Sequence, residues 1–268
     1  MFESFRARFS PGVRRRVLIL SFLSAAGLIA SLVEPTQAAL VVGSNAASIL
    51  FGRDEDNTSN PLIQPAGVSA NQSLNNTDVV VGRSGNDVLI GLLGSDVLSA
   101  GGGNDILIGG PEQGTTPNSD IMFGDDGDDI NIWAPGDGSD LFVGGQGRDA
   151  IVFGVIDKDA NNRPISGGSA PGIEHVPSVN VTGQGGFCTI ERVADPATGY
   201  EFFARFFSRA TGALLVTVRL NEVEQMFCTS QAGGQITYAD LTQATPQLTV
   251  ISLGDAMALN STVGRIIR

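Results

Sequence analysis

At 268 residues the chain has room for one or two domains, and 35 glycines, a single His and a formal charge of −12 set it apart from an average globular protein. The first 38 residues hold five of the 16 cations and two of the 28 carboxylates, which leaves 11 cations against 26 carboxylates and a charge near −15 for the remainder. So acidic a surface repels nucleic acid and anionic lipid, both of which are held through Lys and Arg, and attracts cations instead.

In chain order, a basic stretch ending in Arg14-Arg15-Arg16 runs into the apolar segment Val17 to Val33, then Glu34-Pro35-Thr36-Gln37-Ala38-Ala39. A charged start, an apolar run and a small-x-small end predict a secretory signal over residues 1–38, cleaved after Ala38. The protein is therefore expected to be secreted and extracellular, with no membrane span after cleavage. Residues 39–72 carry a short strand pattern and the acidic cluster Asp54-Glu55-Asp56, and are expected to form an N-terminal cap on the repetitive segment that begins at residue 73.

In that segment Asp78, Asp87, Asp96, Asp105, Asp120, Asp129, Asp140 and Asp149 are spaced by 9, 9, 9, 15, 9, 11 and 9 residues. With each Asp as sixth of nine positions, the fourth is Gly85, Gly94, Gly103, Gly127, Gly138 or Gly147, and otherwise Asn76 or Asn118. Gly adopts positive φ freely and Asn tolerates it, so the pattern predicts a tight turn. The eighth position is Val80, Leu89, Leu98, Leu107, Met122, Asn131, Phe142 or Ile151. Seven of these are apolar, so this side of a three-residue strand should face an interior. Asn131 breaks the pattern and predicts a local bulge, with Ile130, Ile132 or Trp133 completing the interior.

Such a unit cannot bury its face alone, so the units must stack, two turns and two strands to each 18-residue coil. Alternate aspartates then share an edge, Asp78, Asp96, Asp120 and Asp140 on one and Asp87, Asp105, Asp129 and Asp149 on the other. Stacked acids repel, while tight turns aim carbonyl oxygens into the same gaps. A hard divalent cation with many oxygen ligands resolves both problems, and calcium suits the irregular geometry better than magnesium. Three gaps on each edge allow up to about six ions.

GGGNDILIG and GGQGRDAIV resemble the nonapeptide of RTX proteins, the hemolysin-type calcium-binding repeats. The resemblance covers residues 73–154. It implies a right-handed parallel β-roll with calcium in the turns, liganded by the sixth-position aspartates and by turn carbonyls.

Residues 155–180, rich in Gly, Pro and Ser, read as a linker. Beyond them, period-2 segments such as YEFFARFF and ALLVTVRL predict a small antiparallel β domain over 181–268. The whole is thus all-β, a β-roll followed by an antiparallel domain. Cys188 and Cys228 are the only cysteines and are expected to form a disulfide in an oxidising compartment, two buried thiols being the alternative. His175 is the sole imidazole, and neither HExxH nor GxSxG occurs, so no catalytic site is expected. The expected function is calcium-ion binding by a secreted structural or interaction module. A calcium-dependent adhesin or surface-matrix protein, with a cell-surface or matrix ligand, is the alternative, and a secreted hydrolase a minor one.

Overall fold

Three-residue strands separated by glycine turns stack into coils. A computed structural model describes residues 40–51, 78–92, 94–110, 119–158, 166–194, 197 and 199–268. The expected signal segment, Asp54-Glu55-Asp56, Asn76 and Asn118 lie outside the described residues.

Strands β1 (Leu40–Val42) and β2 (Ile49–Phe51) make the first coil. They are followed by β3 (Val79–Ser84) with β4 (Val88–Ile90), and β5 (Val97–Gly102) with β6 (Ile106–Ile108). Next come β7 (Ile121–Asp126) with β8 (Ile130–Trp133), and β9 (Leu141–Gln146) with β10 (Ala150–Phe153). Odd strands stack in parallel as one sheet and even strands as another. This is a β-roll. Within the cap expected over 39–72, residues 40–51 form a coil continuous with the roll, because Ile49-Leu50-Phe51 continue the register of Val88-Leu89-Ile90, and residues 52–72 lie outside the described residues.

Between the sheets lie Val80, Leu98, Met122 and Phe142 from one side and Leu89, Leu107 and Ile151 from the other, all with 0% exposure. The expected bulge at Asn131 does not form. Asn131 pairs in unbroken register with Leu107 and Ile151 and is buried at 1% exposure. Its Nδ2 donates to the Leu107 carbonyl at 3.2 Å, which lets an amide occupy the interior, but Oδ1 is buried without a partner.

The described residues of the segment expected to be a linker, 155–158 and 166–180, are structured instead. It forms β11 (Val155–Ile156), β12 (Ser166–Ala170), β13 (Ile173–Pro177) and β14 (Val179–Asn180). Ile173, Val176 and Val179 pack into one cluster with Val88, Ile90, Ile106, Ile108, Ile130 and Ile132, the outward side chains of the even sheet. The reason is hydrophobic: those strands are apolar on both faces, and each buried Val or Ile is worth roughly 1.5–3 kcal/mol. A polar linker would leave that face wet.

The antiparallel strands expected over 181–268 are present, but as extensions of the same two sheets. β15 (Gly186–Arg192), β16 (Phe202–Ser208) and β17 (Leu214–Asn221) continue the odd sheet, with β17 parallel to β9. β18 (Gln225–Thr229), β19 (Ile236–Asp240) and β20 (Thr249–Ile251) continue the even sheet, with β18 parallel to β10. β17 and β18 therefore act as one more coil. Cys188 on β15 and Cys228 on β18 are disulfide-bonded, S–S 2.02 Å, and so tie the two sheets together. Two helices, unexpected from the sequence, complete the chain: α1 (Leu253–Leu259) and α2 (Val263–Ile266). Ser252 and Asp255 form a capping box on α1, and Val263 and Ile266 of α2 close the outer core.

Candidate metal centre

The eight repeat aspartates form two buried columns, none more than 1% exposed. On one edge the N–H of Asp78 donates to Oδ1 of Asp96 at 2.7 Å, Asp96 to Asp120 at 2.7 Å, and Asp120 to Asp140 at 3.0 Å. On the other, Asp87 donates to Asp105 at 2.6 Å, Asp105 to Asp129 at 2.7 Å, and Asp129 to Asp149 at 2.8 Å. The two edges contain the residues that the spacing assigns to them. One carboxylate oxygen of each acceptor is thereby spent on holding the stack. The other, Oδ2, is buried without a hydrogen-bond partner in Asp87, Asp96, Asp105, Asp129 and Asp149.

Burying carboxylates so costs free energy unless something compensates. Desolvation, partly offset by the backbone hydrogen bond, raises the Asp105 carboxyl to about 7 and that of Asp129 to about 9. Asp149 is likewise raised to about 7, with the charges of Glu224, Asp128 and Glu222 adding to the desolvation. Asp96 is driven well up, by desolvation first and then by the charges of Asp78 and Asp140.

The glycines serve two purposes. Gly85, Gly94, Gly103, Gly127 and Gly147, at the fourth position, have φ between 113° and 144° and turn the chain as expected. Gly138 is not among the positive-φ residues. The two extra residues before it are taken up by a tight turn in which Asp137 Oδ2 accepts the Ala134 N–H at 2.8 Å, and only Gly136, at the second position, keeps a positive φ in that turn. The first-position glycines make room. A Cβ on Gly91 would lie 2.5 Å from both Asp96 Oδ2 and the Gly109 carbonyl oxygen, so two oxygens converge where a side chain would stand.

Several features of the turns leave a weaker mark in the sequence. The second position also has positive φ, and at Arg83, Leu92 and Asp125 it does so without glycine, which hid the requirement. The fifth position forms its own ladder on one edge: the Asn104 N–H donates to Asn86 Oδ1, Asp128 to Asn104 Oδ1, and Arg148 to Asp128 Oδ1. Its signal, Asn86, Asn104 and Asp128 recurring once per coil, was in the sequence. Finally, Ser48 and Glu224 continue the Asp87 column at its two ends, the Ser48 N–H donating to Asp87 Oδ1 at 2.6 Å and the Asp149 N–H to Glu224 Oε2 at 2.7 Å.

Among the described residues no three His, Cys, Asp or Glu side chains gather at one point. Any ion held here must therefore use a mixed set, carboxylates with main-chain carbonyls, which is the hard-oxygen chemistry that calcium accepts. The RTX calcium-binding nonapeptide repeat family matches residues 75–113 and 136–154, in four copies. These are RTX calcium-binding repeats. The family match passes over residues 114–135, yet the RTX columns continue through Asp120 and Asp129 with the same hydrogen bonds. No curated protein and no solved structure matches the chain. The RTX repeats support a calcium-binding repeat module within the chain. Among its described residues, no helix is long and apolar enough to cross a membrane.

Proposed function

We propose that the protein is a secreted structural or interaction module whose RTX roll is completed by calcium in the extracellular space. The observation that carries this is the set of buried, unpartnered Oδ2 atoms on Asp87, Asp96, Asp105, Asp129 and Asp149. Each repeats once per turn, and Asp87, Asp96, Asp129 and Asp149 each lie beside a glycine (Gly82, Gly91, Gly124 and Gly144) whose missing Cβ leaves room for oxygen, with Ala100 in that place before Asp105. Bound calcium supplies positive charge to these gaps. The chain's part is to spend Oδ1 on the stack and keep Oδ2, with the turn carbonyls, facing the ion. All eight aspartates, up to about six ions between them, belong to this reading. Export through the N-terminal segment places the chain where calcium is millimolar, so binding energy becomes folding energy after translocation. Far-UV circular dichroism of residues 39–268, titrated with calcium, should show a coil-to-β transition. A spectrum indifferent to calcium and to chelator would sink the reading.

A second reading, a calcium-dependent adhesin, is favoured by the outward face of β15 and β16. Phe187 and Phe207 stack there at 5.5 Å and Arg205 lies over Phe203, half-buried aromatics of a kind that suits sugar rings. Glycan and cell-surface panels probed with and without calcium separate the two readings.

A further inference from the structure

A column of buried acids must end somewhere, and the two columns end differently. On the edge of Asp140 the next coil places Val218 in the aspartate register, since Arg219 pairs with Leu141. The Arg219 N–H donates to the Asp140 carbonyl at 2.9 Å, and its guanidinium charge opposes the desolvation of the Asp140 carboxylate. That guanidinium carries a buried, unpartnered Nη1. At this end of the column the opposing charge thus comes from the chain itself.

On the edge of Asp149 the register position is taken by Glu224, since Ala150 pairs with Gln225. Glu224 Oε2 accepts the Asp149 N–H at 2.7 Å, as each aspartate does for the coil before it. Glu222 adopts a left-handed φ of 53°, and its carbonyl oxygen overlaps the place where Gly144 would carry a Cβ. Asp149 Oδ2 faces the same place at 2.5 Å. The Gly91 turn shows the same pairing of a following-coil carbonyl with an Asp Oδ2. The last gap thus reproduces the oxygen arrangement of the repeats without any repeat sequence on its far side. Asp149 has 0% exposure, and its Oδ2 has no partner.

We propose that the gap between the Asp149 turn and Glu222–Glu224 is one more divalent-cation site, of the calcium class. Its ligands are the carboxylates of Asp149 and Glu224 and the carbonyl of Glu222. No equivalent site exists beyond Asp140, where Arg219 provides the charge. The proposal rests on the reading that the repeat gaps hold calcium. It adds that the segment after the repeats is itself a ligand donor, so filling the array and docking β17–β18 are one event.

Native mass spectrometry of the full chain in calcium counts the ions. Glu224→Gln keeps an oxygen acceptor for the Asp149 N–H but removes the charge, and the expected result is one ion fewer per chain than wild type. An unchanged count on the variant overturns the site. A wild-type chain that takes up no calcium strikes the underlying reading instead, and the site falls with it. Should Glu224→Gln fail to fold, crystals of the wild-type chain grown in calcium give a variant-free answer from anomalous scattering. A peak between Asp149 and Glu224 supports the site, and peaks confined to the repeat gaps overturn it.

Discussion

The repeat coils and the C-terminal strands belong to the same two sheets, yet opposite chemistry holds them. From Asp87 to Phe153 the turns bury acids with unpartnered oxygens, and glycine replaces bulk where oxygens converge at Gly82, Gly91, Gly124 and Gly144. From Gly186 to Ile251 the sheets are joined by a disulfide, and Trp133 and Phe153 pack against Phe206 across the junction. Arg209 ties several strand ends through carbonyl contacts, with Gln184 at 2.6 Å and Gln231 at 3.1 Å. One half buries acids whose charge the chain leaves uncompensated, whereas the other is tied by a disulfide, aromatic packing and hydrogen bonds. An array of buried acids can thus be grown on a covalently tied end within the same two sheets.

Removing calcium should widen that contrast most. In chelator, amides of β4, β6 and β8 are expected to lose hydrogen-exchange protection by about 100-fold or more, some 2.7 kcal/mol, while those of β16 and β19 keep theirs. Uniform loss across both halves would erase the contrast. Second in size is pH. Folded-state carboxyls raised to about 7 on Asp105 and Asp149 and to about 9 on Asp129 favour the neutral acid. Their contribution to the metal-free fold is therefore complete below about pH 4, the ordinary Asp range, and is lost as pH rises through 7 to 9. Acidifying the chelator-treated protein from pH 9 to 5 should thus increase its β signal, and a decrease would count against buried, uncompensated acids. In saturating calcium the trend reverses, because protons compete with the metal.

The disulfide probes the other half. Replacing Cys188 and Cys228 with Ser should remove about 4 kcal/mol of loop-closure stabilisation for a separation of 40 residues. In calcium this lowers Tm by roughly 8–16 °C, with the loss of protection centred on β15 and β18. The smallest expected effect is a gain. Asn131→Leu relieves the unpartnered Oδ1 and restores an apolar stack from Leu107 to Ile151, stabilising by about 1 kcal/mol. Thermal melts in calcium check it, and a loss would show that the Nδ2 bond to Leu107 matters more.

The roll was legible because three positions in nine carry separate constraints: turn, charge and burial. Their joint register survives even the six-residue insertion before Asp120. What escaped was hidden by the same economy. Val88-Leu89-Ile90 and Ile106-Leu107-Ile108 are apolar on both faces, the mark of strands covered on both sides, but periodicity directs attention to the middle residue alone. Residues 155–180 looked like a linker because strands of two to five residues among Gly and Pro leave no periodic trace. The register of β17 with β9 joins residues 78 apart, which no local pattern announces. Glu224 escaped for a related reason, since its role depends on that distant pairing. The helix after Ser252 carries its sign in Ser252-x-x-Asp255, at the end of a stretch whose period-2 pattern predicts strands.

The link between Cys188 and Cys228 has a mechanical consequence. Parallel coils stacked along an axis separate one at a time when the chain is pulled, like turns leaving a spool. The crosslink lies at the far end of that spool and spans both sheets, so unwinding that starts at β1 and β2 meets a stop there. With 40 residues locked between the two sulfurs, roughly 130–140 Å of extended chain stays withheld under load until the bond is reduced. The end of the molecule with the covalent tie is thus the end that bears tension.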